Sequence, residues 1–211
     1  MSDTESISRQ DAIAAIQRTA AALQAQYEHL TKLDQALGDG DLGITAKKIA
    51  AALNEYVAAS SSEDLGKFIA SAGMAVNRAA SSTMGTLLAT ALMRAGKEIR
   101  GLDAIDGKNL AAMLKAADLG IQERGKAKPG DKTIVDALHP ATEAFNSAIN
   151  DGDRLELAAE KMIDAAQAGL EYATSLKSRI GRASWIGERT VGQIDPGCSL
   201  LIIILKAVMN K

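Results

Sequence analysis

Three carboxylates and three glycines are concentrated in the segment Leu33-Asp34-Gln35-Ala36-Leu37-Gly38-Asp39-Gly40-Asp41-Leu42-Gly43-Ile44-Thr45. Glycine tolerates left-handed or strained backbone, so Asp39 and Asp41, flanking Gly40, can be turned toward one point that Asp34 reaches from the end of a preceding helix. Carboxylates brought that close repel one another unless a cation sits among them, and Mg2+ favours carboxylates completed by water and phosphate oxygens. A phosphate-bound metal site is the chemistry this spacing would serve. The alternative is that Asp39 and Asp41 cap the following helix while Asp34 is a solvated charge at a helix end. An EF-hand calcium loop does not fit, because position twelve counted from Asp34 is Thr45 and no Glu follows nearby.

Three further segments carry polar chemistry. Ser81-Ser82-Thr83-Met84-Gly85-Thr86 leads into a predicted helix, where free backbone N–H groups can meet an anion; an ordinary N-cap has the same composition. Gly125-Lys126-Ala127-Lys128-Pro129-Gly130-Asp131-Lys132-Thr133-Ile134 places three lysines on a Gly/Pro loop, which could attract phosphate or simply be solvated. The stretch from Gly181 to Gly197, GRASWIGERTVGQIDPG, is long for a connector and holds the only Trp, two Arg and a closing Asp-Pro-Gly turn. Arg can serve phosphates bidentately. Equally, Trp185 could plug the end of a helical bundle while the arginines pair with nearby carboxylates.

No nucleophilic triad is readable and no residue is assigned a catalytic role. His29 lies within a periodic helix and reads as a surface residue, His139 before Pro140 reads as a satisfied structural histidine, and Cys198 reads as core.

These segments lie between amphipathic helices. Ile13, Ile16, Ala20, Leu23, Tyr27 and Leu30 recur at steps of three and four, with Ser8 and Asp11 at capping-box spacing before them. A second stripe runs Leu155, Ala158, Met162, Ala165, Tyr172 and Leu176, with Gly169 at a stripe position that weakens the helix. Shorter periodic runs cover 44–58, 63–77, 86–99, 108–123, 133–149 and 197–210, giving about eight helices, with irregular segments at 125–132 and 178–196. Short links favour antiparallel neighbours. No strand-like alternation competes, and only 3% of residues are aromatic, so the class is all-α.

The chain has 211 residues, the size of one domain, and 1–211 is read as a single unit. A net charge of −2 speaks against nucleic acid or anionic lipid as the main partner. One cysteine excludes an internal disulfide framework and fits a reducing, cytoplasmic setting. The polar N-terminus MSDTESISRQ lacks the pattern of a secretory signal, so no export is expected. Leu200–Leu205 is too short to cross a bilayer and is read as a helix buried all round.

Taken together, GDGDLG, GKAKPGDKTIVDALHPA and GRASWIGERTVGQIDPG closely resemble, in order and position, the L subunit of dihydroxyacetone kinase, the nucleotide-binding Dak2 or DhaL domain family. The similarity runs from about Leu33 to the C-terminus. It implies a closed antiparallel barrel of about eight helices with ADP or ATP and two Mg2+ at one rim, the ions held by Asp34, Asp39 and Asp41. By the same resemblance the nucleotide meets Leu42, Gly43, Ile44, Thr45, Thr83, Met84, Gly85, Gly125, Ile134, Arg182, Asp195, Pro196 and Gly197. Three departures stand out: Leu42 for a frequent His, Ser81 and Ser82 for a frequent Gly-Gly, and Met84 for a frequent Ser.

The activity implied is phosphoryl transfer governed by positioning and electrostatics. In the family the ketose is held on a separate K subunit, so the resemblance implies half an enzyme, active with a K partner on dihydroxyacetone or on a four-carbon ketose such as erythrulose. The donor is either exchangeable ATP or a bound nucleotide rephosphorylated by a phosphotransferase M subunit. The alternative, motivated by the departures, is a helical scaffold or regulatory module that keeps the fold without phosphoryl transfer.

Overall fold

Helix starts in this chain are written by short polar side chains. Ser8 and Asp11 form the expected capping box, Asp106 and Asn109 form a second, and Asp64, Ser82 and Asp195 each accept an amide of the first turn that follows. The computed structural model describes residues 6–60 and 64–210. The first residues of the N-terminal stretch and Glu63, where one periodic run begins, lie outside them.

Among the described residues the helices are α1 (Arg9–Ala25), α2 (Tyr27–Leu37), α3 (Leu42–Ala59), α4 (Leu65–Ala79), α5 (Thr83–Glu98), α6 (Gly107–Gly125), α7 (Val135–Asn150), α8 (Leu155–Ser175) and α9 (Pro196–Met209), with a 3-10 helix at Arg182–Thr190. The class is all-α as expected, with one addition. Two strands of two residues, β1 (Ile7–Ser8) and β2 (Ala104–Ile105), pair antiparallel with Ile7 opposite Ile105. Strands this short leave no alternation to read.

The first stripe, expected as one helix, is broken at Gln26 (φ −99°, ψ 7°). No Gly or Pro marks the break. Leu23 and Leu30 stay fully buried on either side of it, and both helices lie against α3 and α9, α2 adding the 3-10 helix.

Beyond this, α3 packs on α4, α4 on α5, α5 on α6, α6 on α7, α7 on α8, and α8 on α9, which returns to α1. One apolar cluster, with Ile16, Leu23, Ile49, Leu65, Phe68 and Val76, is built largely by α1, α3 and α4. Another, with Val135, Leu138, Phe145, Met162 and Ile163, is built largely by α7 and α8. Helix α9 joins them, giving Leu200 to the first and Cys198, Leu201 and Leu205 to the second. It is not buried all round, since Ile202, Ile203 and Ile204 are only half-buried. No described helix is long and apolar enough to cross a membrane.

Gly169 is where α8 meets the backbone of α7: a Cβ there would stand 2.1 Å from the Asp136 carbonyl oxygen. Helix propensity alone makes Gly169→Ala stabilising by about 1 kcal/mol, but the clash reverses the sign. A loss of about 1–3 kcal/mol is expected in urea unfolding. An unfolding midpoint at or above the parent's would overturn this packing assignment.

Candidate functional site

The connections α2–α3, α4–α5, α6–α7 and α8–α9 all contribute to the walls of one cleft of about 340 Å³. Helices α3, α5, α7 and α9 therefore begin at the cleft, and the positive ends of four helix dipoles face the same space. That field favours an anion.

At the mouth, one carboxylate oxygen each from Asp34, Asp39 and Asp41 lies within 4.8 Å of the others. Asp34 sits one turn before the end of α2, and its Oδ2 accepts the Leu42 N–H at 3.1 Å, so it also fixes the start of α3. Asp41 occupies the N-cap position of α3 yet makes no capping bond with its side chain. The turn depends on Gly40, whose φ of 77° is left-handed and whose added Cβ would lie 2.6 Å from Gln35 Cγ. Arg182 pairs with Asp39 and stands 3.9 Å from Asp41. An all-oxygen, half-exposed carboxylate set opening onto an anion-favouring cleft fits a hard divalent cation that keeps water and phosphate ligands.

Behind the mouth, the cleft is lined by Ser81, Ser82, Thr83 and Met84 at the start of α5, by Gly125 and Ile134 flanking the basic loop, and by Asp195, Pro196 and Gly197 at the start of α9. Leu42 and Arg182 also line it. Four residues of the expected nucleotide set are not among its lining residues: Gly43, Ile44, Thr45 and Gly85. Gly43 is pressed against α2, where a Cβ would meet Thr31 Oγ1 and the Tyr27 carbonyl oxygen, and Ile44 is 58% exposed. Thr45 is buried and donates from Oγ1 to Ser82 Oγ at 3.2 Å, while the Gly85 amide donates to the same Ser82 oxygen at 3.1 Å. Ser82, a departure from the family pattern, thus ties the start of α3 to that of α5.

Burial pushes Asp195 up to about 6, working against the Cys198 amide, which donates to Asp195 Oδ1 at 2.7 Å and favours the charged form. Cys198 is core, as expected; burial, then the Asp195 charge, drives its thiol upward, and its Sγ donates to the Thr133 carbonyl at 3.0 Å. His139 is the satisfied structural histidine expected, its Nδ1 at 2.8 Å from buried Asp118 Oδ2, and His29 is exposed.

Two features escaped sequence reasoning. Trp185 does not plug the bundle: it is 92% exposed on the link, although the accompanying expectation that Arg pairs with carboxylates holds for Arg182. Of the three loop lysines, Lys126 and Lys128 are exposed, but Lys132 is fully buried and also lines the cleft. Nothing in the spacing distinguishes it.

The DAK2 domain family model matches residues 36–210. The ADP-binding subunit DhaL of the PEP-dependent dihydroxyacetone kinase of Escherichia coli K12 is 27% identical over 201 residues, covering 95% of this chain and 96% of the relative. The L-erythrulose kinase of Pectobacterium atrosepticum is 31% identical over 191 residues, covering 87% of this chain but 32% of that enzyme. Among solved structures, the dihydroxyacetone kinase of C. freundii superposes over the whole chain and 36% of its own length. The TM-score is 0.75 in its native form at 24% identity. It is 0.70 in its complex with AMP-PNP and Mg2+ at 23% identity.

An acid whose pKa rises on folding favours the folded state when protonated, so the Asp195 contribution is present below the unfolded value of 3.8 and lost as pH climbs through about 6. Asn keeps the capping oxygen and removes the buried charge. Relative to the parent, Asp195→Asn should gain about 2 kcal/mol in urea unfolding between pH 4.5 and 7.5. A difference independent of pH would contradict a buried, titrating Asp195.

Proposed function

The chain belongs to the DAK2 domain family, and from that premise we propose that it is the ADP- or ATP-binding subunit of a dihydroxyacetone-type kinase, transferring a phosphoryl group to a small ketose held by a separate K subunit. One observation carries the reading: three carboxylates share a point at the mouth of a cleft onto which four helices begin. Asp34, Asp39 and Asp41 hold two Mg2+ ions, which when bound neutralise and orient the terminal phosphate. Arg182, beside Asp39 and Asp41, would be within reach of phosphate oxygens, which like carboxylates can accept from Arg bidentately.

The residues that would hold the nucleotide are Leu42, Thr83, Met84, Gly125 and Ile134, with Asp195, Pro196 and Gly197, all of which line the cleft. Gly43, Thr45 and Gly85 act from behind that surface by fixing the starts of α3 and α5, while Ile44 is exposed and takes no part in that bracing. Leu37, Leu87, Ile121, Ala127 and Val135 give the inner cleft an apolar lining suited to a base. No histidine lines the cleft. With the ketose held by the K subunit, acceptor deprotonation is assigned there as well, and this chain supplies donor, charge and alignment.

The unit spans 1–211 as one domain, and the circuit of packing from α1 through α3 to α9 and back supports closure into an antiparallel helical barrel. The ketose is dihydroxyacetone, with erythrulose as the alternative acceptor in view of the L-erythrulose kinase similarity. Near full-length similarity to a PEP-dependent ADP-binding subunit favours a bound nucleotide recharged by an M subunit over exchange of free ATP. A cytoplasmic location follows from such partners.

Calorimetric titration tests this directly. Once any retained nucleotide has been removed with a chelator, ADP should bind only when Mg2+ is present, and Asp39→Asn should lose that binding with little change in unfolding free energy, because relief of carboxylate repulsion offsets the lost Arg182 contact. Metal-independent ADP binding, or an Asp39→Asn chain that binds Mg-ADP like the parent, would remove the assignment. Phosphorylated ketose should form only when K subunit and donor are both added. Turnover by the chain alone would place the acceptor site within it.

A further inference from the structure

Lys132 is a buried ammonium with an unusual set of neighbours. It is 2% exposed, and its backbone φ of 58° lies in the left-handed region, which a residue without special support avoids. Its Nζ donates to the carbonyl oxygens of Thr190 at 2.7 Å, Gln193 at 2.7 Å, Leu176 at 3.1 Å and Thr174 at 3.2 Å. An ammonium has three protons, so these four acceptors share them, and the charge is solvated by backbone dipoles in place of water. Burial pulls Lys132 below the ordinary lysine value, and the nearby Asp195 and Asp136 carboxylates oppose that cost electrostatically.

The four carbonyls come from two places. Thr174 and Leu176 stand where the chain leaves α8; Thr190 and Gln193 stand where it approaches α9. The same two ends are joined by Gly192 N–H donating to the Thr174 carbonyl at 2.8 Å and by Ser178 N–H donating to Thr190 Oγ1 at 3.0 Å. Arg179 N–H donates to the Asp131 carbonyl at 3.1 Å, tying the link to the loop that carries Lys132. That loop is itself braced: Asp136 accepts the amides of Gly130 at 2.6 Å and Thr133 at 2.8 Å. Residues 176–193 thus form a loop closed at its base over one positive charge. Arg182 rides on it, and Asp195-Pro196-Gly197 follows it.

We infer that the ammonium of Lys132 is a positioning residue for the nucleotide site, pinning the base of the 176–193 loop and so fixing where Arg182 meets the carboxylate cluster. The nucleotide part of this inference rests on the function proposed above. With the charge removed, four carbonyls lose a common donor, and the loop base keeps the Gly192–Thr174, Ser178–Thr190 and Arg179–Asp131 hydrogen bonds and the exposed Lys177–Glu188 ion pair, a solvent-screened contact of small worth. The helices around both apolar clusters do not depend on it.

The test compares Lys132→Met, which keeps chain length without charge, with Lys132→Arg, which keeps the charge. Trypsin reads the loop in the absence of ligand through its exposed Lys177, Arg179, Arg182 and Arg189; calorimetry reads Mg-ADP. The Met chain should be nicked within 176–193 at least tenfold faster than the parent and bind Mg-ADP at least tenfold more weakly. The Arg chain should return both toward the parent. Arg182→Ala should weaken binding in the parent but add little to the Met chain, because the arginine there is already misplaced. A Met chain nicked at the parent's rate, or nicked quickly yet binding at full strength, overturns the inference. Should Lys132→Met fail to fold, the Arg chain decides: its loop protection and Mg-ADP affinity must stay or fall together, and a change in one without the other overturns it. If the parent itself does not bind Mg-ADP, the proposed function fails, while the nicking comparison still decides whether Lys132 pins the loop.

Discussion

Three carboxylate oxygens within 4.8 Å of one another repel by roughly 1 kcal/mol per pair in water-like surroundings, and by several times that as the local dielectric falls. No local interaction in the Asp34–Asp41 segment removes that cost: Asp34 spends one oxygen on the Leu42 amide, and Asp41 caps nothing. The balancing positive potential has to be brought from elsewhere in the chain. Arg182 arrives from the α8–α9 link, and the starts of α3, α5, α7 and α9 bring dipole ends from four separate turns. The cluster is therefore tolerable only in the assembled fold, which couples the site to the packing of every helix that begins there.

That coupling explains the division of labour along the chain. The two apolar clusters supply the burial that holds the helices together, and α9 belongs to both. Its first turn, Pro196 and Gly197, is also a wall of the cleft, so the helix that joins the clusters delivers its own dipole to the site. Asp195 caps that helix while buried near Asp136, and the resulting conflict between capping and burial raises its pKa. A neutral cap would be simpler for stability alone. The retained acid is a feature of the cleft wall and not of the core.

Legibility from sequence followed the range of the interaction. The Ser8–Asp11 box and the helical stripes are set by neighbours three or four residues apart, and both were readable. The aspartate turn was readable too, since glycine at position 40 and flanking carboxylates announce their own geometry. The break at Gln26 was not, because no residue there opposes helix; beyond it α2 keeps α3 and α9 as neighbours and adds the distant 3-10 helix, a contact the sequence does not announce. Gly169 read as a weakness and is in fact a point where α8 lies directly against the α7 backbone. Lys132 could not be told from Lys126 and Lys128, because the four carbonyls that bury it lie 42 to 61 residues further on. Trp185 shows the converse: an aromatic side chain carries a strong prior for burial, and no local signal announces that the link holds it outward.

The three departures from the family pattern gain meaning in the same way. The Leu42 side chain is buried in the first apolar cluster, and its contribution at the cleft is its amide, already given to Asp34. The hydroxyl of Ser82 is committed to the Gly85 amide and to Thr45, and the Met84 methyl lies against Gly197. Ser82 accepts both of those bonds and keeps its own O–H to donate, and the Ser81 and Thr83 hydroxyls line the cleft beside it. On the proposed reading, a cleft with no imidazole in its lining would hold phosphate through a bound cation, the helix amides, these hydroxyls and Arg182. Among these only Arg182 sits on a long connector, which makes the placement of that connector, and the buried charge beneath it, the most sensitive part of the arrangement.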